Sequence, residues 1–158
     1  MNNTVKISNG STTSLPVLIA GAAPTGMTAA LELARLEVPL RIVDKADEPA
    51  TTSRAIGVQA RTLELMEMRG LVDQFVELGS HAEGGSIYGG GRRVFRMDFS
   101  RLDTRYNYLL FISQVETERI LRERLVQYGV NIERCLELAA VSQDDSSRTL
   151  ISPGQFRL

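Results

Sequence analysis

LPVLIAGAAPTG, residues 15–26, joins a short apolar run to a turn that begins and ends in glycine. A continuous apolar run of this length, LPVLIA over 15–20, suits a strand buried on both faces of a parallel sheet, and Pro16 is tolerated at the start of such a strand. Behind it, GAAPTG over 21–26 approximates G-x-G-x-x-G, with Ala23 where the middle glycine belongs. A dinucleotide's pyrophosphate needs backbone N–H donors and the positive end of a helix, and a glycine-rich turn opening a helix supplies both. Gly21 permits the tight turn, and Gly26 lets helix and strand pack closely. Ala23, Pro24 and Thr25 lie between them.

The context strengthens the reading. A helix is expected from about Pro24 to Leu36, with proline at a first turn where its missing N–H costs nothing and with Met27, Ala30, Leu31 and Ala34 as its apolar stripe. PLRIVD, 39–44, is the next strand, which completes a βαβ unit. Its last residue, Asp44, lies eighteen positions after Gly26, near the ~20-residue offset at which an acid holds a ribose. On these features dinucleotide binding stands against a plainer alternative, in which GAAPTG is a small-residue turn and Asp44 a solvated loop acid.

Beyond Asp44, QARTLELMEMRG and LVDQFVELG read as helices closed by Gly70 and Gly79. Residues 83–99 change texture, and GGSIYGGGRRVFRMDF reads as a β-ribbon. SQVETERILRERLVQYG reads as a helix, with Ser113 and Glu116 at capping-box spacing and Gly129 at its far end. VNIERC and LELAAVSQ read as strands and DDSSRT as a turn, while LISPGQFRL suggests no element. Residues 1–14 are polar and are expected to form a flexible N-terminal tail, leaving 15–158 as one domain.

Composition narrows the class. The 158 residues are 43% hydrophobic and 23% charged, with a formal net charge of −1. That is a globular balance without the basic patch of a nucleic-acid binder or a run long enough to span a membrane. One histidine and one cysteine, Cys135, make neither a disulfide nor a zinc site, and the expected location is cytoplasmic.

Several spaced motifs together resemble the flavin-dependent aromatic hydroxylases, the class A flavoprotein monooxygenases of the para-hydroxybenzoate hydroxylase type. VLIAGAAPTGMTAALELAR looks like their opening fingerprint, and VDKADEP resembles their acidic-basic stretch. SRAIGVQARTLELMEMRGL and SQVETERIL are similar to two further family segments. The resemblance implies an α/β fold built on a parallel Rossmann-like sheet of the glutathione-reductase FAD-binding type, with an inserted β-ribbon. It implies FAD as cofactor, NAD(P)H as electron donor and a small phenolic or other aromatic substrate. It places Asp44 on the adenosine ribose with Lys45 beside it, Arg54 along the cofactor and Gln114 on the flavin's ribityl chain.

This chain departs from the family pattern at Ala23, and at Asp44, where glutamate is common. The later Asp-Gly and Gly-Asp segments of the family are not found. The expectation is therefore an incomplete fold that holds the AMP and pyrophosphate half of FAD without the aromatic pocket, and no residue is identified as catalytic. In the full family fold the first strand is paired on both sides, so an open edge and self-association are expected here. A truncated, catalytically inactive nucleotide-binding or interaction module stays open as an alternative. So does an NAD-dependent dehydrogenase domain, because Asp44 suits the NAD ribose equally well; SRAIG and SQVETE argue against it.

Overall fold

The computed structural model describes residues 3–8, 16–51, 57–143 and 147–152. In chain order the elements are β1 (Asn3–Ser8), β2 (Val17–Ala20), α1 (Pro24–Arg35), β3 (Leu40–Val43), β4 (Gly57–Val58), α2 (Ala60–Glu67), α3 (Val72–Leu78), β5 (Ser80–Ala82), β6 (Gly84–Gly89), β7 (Arg92–Asp98), β8 (Leu109–Phe111), α4 (Gln114–Gln127), β9 (Ile132–Glu133), β10 (Ala140–Gln143) and β11 (Ser147–Ser152). They fall into two compact units, one formed by Met1–Pro49 with Leu121–Leu158 and the other by Ala50–Ile120; α4 runs from the second into the first.

The first unit is built on a parallel sheet in the order β2-β3-β9. β2 and β3 run in register from Val17↔Leu40 to Ala20↔Val43, and Ile42↔Ile132 continues the sheet to β9. The fold is thus mixed α/β with parallel strands. Met27, Ala30 and Leu31 of α1 are buried, as are Ile42 and Val43 of β3. Each large side chain of this kind contributes ~1.5–3 kcal/mol by leaving water. β2 is more exposed than its apolar sequence predicts: Val17 and Ala20 are open to solvent, and Leu18 and Ile19 are half-buried. The physical reason is topological, since among the described residues β2 is an edge strand bonded only to β3.

A second sheet in this unit, β1-β11-β10, is antiparallel, with Val5↔Leu150 and Val141↔Leu150 in register. It corrects two expectations. The flexible tail expected over 1–14 contains a strand at Asn3–Ser8, where Val5 and Ile7 alternate with Thr4, Lys6 and Ser8 in a strand's period of two. LISPGQFRL, given no element from sequence, contributes its first residues to β11.

The second unit holds α2, α3, the short antiparallel sheet β4-β8-β5, and the β6–β7 ribbon. Its buried apolar residues include Leu63, Met66, Leu71, Phe75 and Leu110. The ribbon expected over 83–99 is present as β6 and β7, closed by Gly90 and Gly91 at φ 57° and 74°. Two consecutive left-handed residues make the primed turn that matches strand twist. Gly79 ends α3, but with φ −98° and ψ 165° it is not a left-handed cap. Its role is space: a Cβ there would lie 2.6 Å from a methyl of Leu110.

Candidate functional site

The turn between β2 and α1 is shaped by two glycines with different tasks. Gly21 has φ 108°, a conformation that L side chains rarely adopt. Gly26 is required by proximity, because a Cβ on it would lie 1.9 Å from the Gly21 carbonyl oxygen and 3.3 Å from the Ile19 side chain. The end of β2 and the first turn of α1 therefore meet backbone to backbone. Ala23 sits at the helix N-cap with φ −77° and ψ 172°, an extended conformation open to any L residue, and it is exposed. The methyl group thus imposes no backbone strain.

No side chain caps α1, and Pro24 has no N–H. The first four N–H positions of a helix have no acceptor within it, so Ala23, Thr25 and Gly26 are left as donors at its positive end. Thr25 is exposed and Pro24 half-buried. The Thr28 hydroxyl turns inward along the helix to the Pro24 carbonyl at 2.7 Å.

Asp44 follows β3 directly and reaches this turn. Its Oδ2 accepts the Ala22 N–H at 2.6 Å, and its Oδ1 accepts the Ala46 N–H at 2.8 Å. An ionised carboxylate has about four acceptor positions, and these two bonds occupy two of them. The backbone beneath it is fixed on both sides: the Asp44 N–H donates to the Glu133 carbonyl at 2.9 Å, and its carbonyl accepts the Leu136 N–H at 3.0 Å. Cys135, between them, has φ 59° and donates its N–H to the Ala46 carbonyl at 3.3 Å. Arg41 closes the same strand pair, with Nε and Nη2 on the two oxygens of Glu133 at 2.7 and 2.6 Å. That pairing holds the Glu133 carboxyl below its ordinary value and the Arg41 guanidinium above its own.

The structure therefore brings together Gly21, Ala23, Pro24, Thr25, Gly26 and Asp44. Lys45 is next in the chain and exposed. Gln114 opens α4 and belongs to the other compact unit, where it is half-buried. Arg54 lies outside the described residues. At the start of α4, Ser113 Oγ accepts the Val115 N–H at 3.2 Å as a cap should, while the Glu116 carboxylate takes Arg119 Nε–H at 2.8 Å. Two contributors escaped the reading of the sequence. The Ala22 N–H is a backbone group with no sequence signal, whereas the Glu133–Leu136 segment was legible only as a strand. Among the described residues no group of three or more His, Cys, Asp and Glu side chains is placed to hold a metal ion, and no helix is long and apolar enough to cross a membrane.

A family described as the FAD binding domain matches residues 14–152. The chain is 49% identical over 125 residues to 6-methylpretetramide 4-monooxygenase from Streptomyces rimosus, an alignment covering 78% of this chain and 22% of that protein. It is 38% identical over 138 residues to 12-dehydrotetracycline 5-monooxygenase/anhydrotetracycline 6-monooxygenase from Streptomyces rimosus subsp. rimosus, covering 87% of this chain and 27% of that protein. Among solved structures, the anhydrotetracycline hydroxylase OxyS from Streptomyces rimosus matches with a TM-score of 0.73 and 37% identity, over 87% of this chain and 28% of that one. The chain thus spans about a quarter of the length of the proteins it resembles.

Proposed function

The chain belongs to the FAD binding domain family, and from that premise we propose that it forms the part of a flavoprotein monooxygenase that holds the adenosine and pyrophosphate half of FAD. The observation that carries this reading is the Asp44 carboxylate on the Ala22 N–H at 2.6 Å, which ties the ribose acceptor to the pyrophosphate turn. The open N–H groups of Ala23, Thr25 and Gly26 would receive the pyrophosphate, supported by the helix dipole. The Asp44 carboxylate would receive the ribose hydroxyls, with Lys45 beside it. Arg54 and Gln114 are read, from the family resemblance, as contacts along the cofactor and to its ribityl chain. The sheet is read as the Rossmann-like sheet of the glutathione-reductase type.

In the longer protein the proposed reaction is hydroxylation of a phenolic or other aromatic substrate with NAD(P)H and dioxygen, in the cytoplasm. When bound, FAD supplies the redox and oxygen chemistry. The residues of this chain bind it, orient it and neutralise its charge.

The test is a calorimetric titration of the 158-residue chain with FAD, ADP and NAD, with flavin fluorescence followed in parallel. Binding of FAD and ADP, both weakened by Asp44→Ala, is the expected result. Preference for NAD over FAD, or no binding of any of the three, would overturn the reading.

A further inference from the structure

The β6–β7 ribbon of the second unit carries a groove of about 420 Å³ on one face, a size within the range of small-molecule sites. Register explains which side chains reach it. Gly84 opposes Asp98 and Ser86 opposes Arg96, so these four share a face, while Ile87 and Phe95 lie on the other. Arg93 and Arg96, three positions apart, would point to opposite sides of a regular strand. The register shifts between Ile87 and Tyr88, which leaves Val94 unpaired and sets Arg93 against Tyr88. That extra residue is a bulge, and it turns Arg93 onto the Arg96 face. Both arginines accordingly line the groove, together with Ser86. Gly84 is required beside them, because a Cβ there would lie 2.5 Å from the Met97 carbonyl oxygen.

The two arginines are also electrically unspent. Arg35, Arg41, Arg61, Arg105 and Arg119 each hold a carboxylate. Arg93 and Arg96 are exposed, and among the described residues no side chain is bonded to either of them or to the Ser86 hydroxyl. Glu83 and Asp98 line the groove as well. Asp98 is engaged at its own end, where Oδ1 accepts the Ser100 N–H at 3.1 Å and the Ser100 Oγ–H at 2.6 Å. Those bonds are the main reason its carboxyl is held below the ordinary value, with the charges of Arg96 and Arg101 adding less. A guanidinium presents a planar fork of donors that matches carboxylate and phosphate oxygens. We propose that this face of the ribbon binds a small oxyanion, a carboxylate or a phosphate, held jointly by the Arg93 and Arg96 guanidinium groups with the Ser86 hydroxyl as a third donor. The site lies within the second unit and does not depend on the FAD reading.

The test is a titration of the 15N-labelled 158-residue chain, with amide shifts followed residue by residue. Inorganic phosphate and benzoate are the probes, and sodium chloride at equal ionic strength is the blank. Saturable shifts at Gly84, Gly85 and Ser86 are expected with at least one probe, and the probe that gives them distinguishes a phosphate site from a carboxylate site. Arg93→Gln and Arg96→Gln are each expected to weaken that binding about fivefold, somewhat less than the full loss of a charge-assisted hydrogen bond because the groups are exposed. Arg92→Gln is the control: Arg92 opposes Gly89 on the other face of the same ribbon, and its loss should leave the affinity unchanged. If Arg93→Gln does not fold, as judged by circular dichroism, Arg93→Lys keeps the charge without the fork and is expected to weaken binding in the same direction. Shifts reproduced by sodium chloride, equal losses from all three arginines, or no saturable shift on the ribbon would overturn the proposal. Shifts at Ala23, Thr25 and Gly26 belong to the turn after β2 and are expected to survive the ribbon variants.

Discussion

The Asp44 carboxylate is bonded to the backbone N–H of Ala22, twenty-two residues earlier, at 2.6 Å. One side chain thereby stitches the end of β3 to the turn after β2. Asp44→Ala removes a charge-assisted acceptor from Ala22 and another from Ala46, each worth ~1.5–3 kcal/mol when intact and less where water competes. It is expected to lower folding stability by ~1–2 kcal/mol and to weaken ADP and FAD binding about tenfold. Chemical denaturation and calorimetry on the same preparation check both. Weaker binding with unchanged stability would mean that the stitch carries no weight in the fold.

Ala23 has dihedrals any residue accepts, so the cost of its methyl is confined to the space it takes from a phosphate. Ala23→Gly is expected to tighten ADP and FAD binding about fivefold, the equivalent of ~1 kcal/mol in charge-assisted hydrogen bonding. The same change should lower folding stability by ~0.4–1 kcal/mol, because glycine loosens the unfolded chain. Isothermal titration and urea melts read the opposite signs. Unchanged affinity would identify GAAPTG as a turn without a phosphate site.

The Arg41–Glu133 pair predicts a pH dependence. Its guanidinium partner lowers the folded-state pKa of Glu133 from the ordinary 4.5. The pair's contribution is therefore whole above that value and drains away as pH falls through the lower folded one. Glu133→Gln is expected to cost ~1 kcal/mol at pH 7, a figure kept small because the Glu133 side chain is 37% exposed and screened. The gap from wild type should close in strongly acidic buffer. Urea denaturation of both proteins at neutral and acidic pH measures it, and a constant gap would show that the carboxylate's charge is not what stabilises.

Val17, at the start of β2, is 40% exposed, and β2 pairs on one side only among the described residues. An apolar strand edge invites addition of another strand. We expect concentration-dependent self-association of the 158-residue chain, reduced by Val17→Lys. Light scattering across a dilution series tests it; a monomer at every concentration with a cooperative melt would refute it.

What could be read from sequence follows the physics of range. α1, β3 and α4 announce themselves through local signals: Pro24 at a first turn, an apolar run ending in Asp44, Ser113 before a helix and Gly129 after one. The β6–β7 ribbon is equally local, since Gly90 and Gly91 dictate its turn. β5 and β8 escape because Ser80–Ala82 and Leu109–Phe111 are too short to show alternation and exist by pairing with each other. β1 and β11 escape because Asn3 finds its partner at Ser152. LPVLIA was legible as a strand, but its burial was not, because burial depends on which strands lie beside it. At the site, GAAPTG and Asp44 were legible as a pair. Their direct bond runs through a backbone N–H, which has no letter of its own.

The interleaved construction of the first unit also sets a timetable for its birth. β2, α1 and β3 leave the ribosome together, yet Glu133, which seats against Arg41 and supports the Asp44 backbone, is encoded 92 residues after Arg41. At ~5–20 residues per second, translation delivers it roughly 5–18 s later, after the whole of the Ala50–Ile120 unit has emerged. Throughout that interval the nascent β3 exposes an unpaired edge. The closure that steadies the acid is thus a late, long-range step, and chaperone capture or misannealing would strike there first.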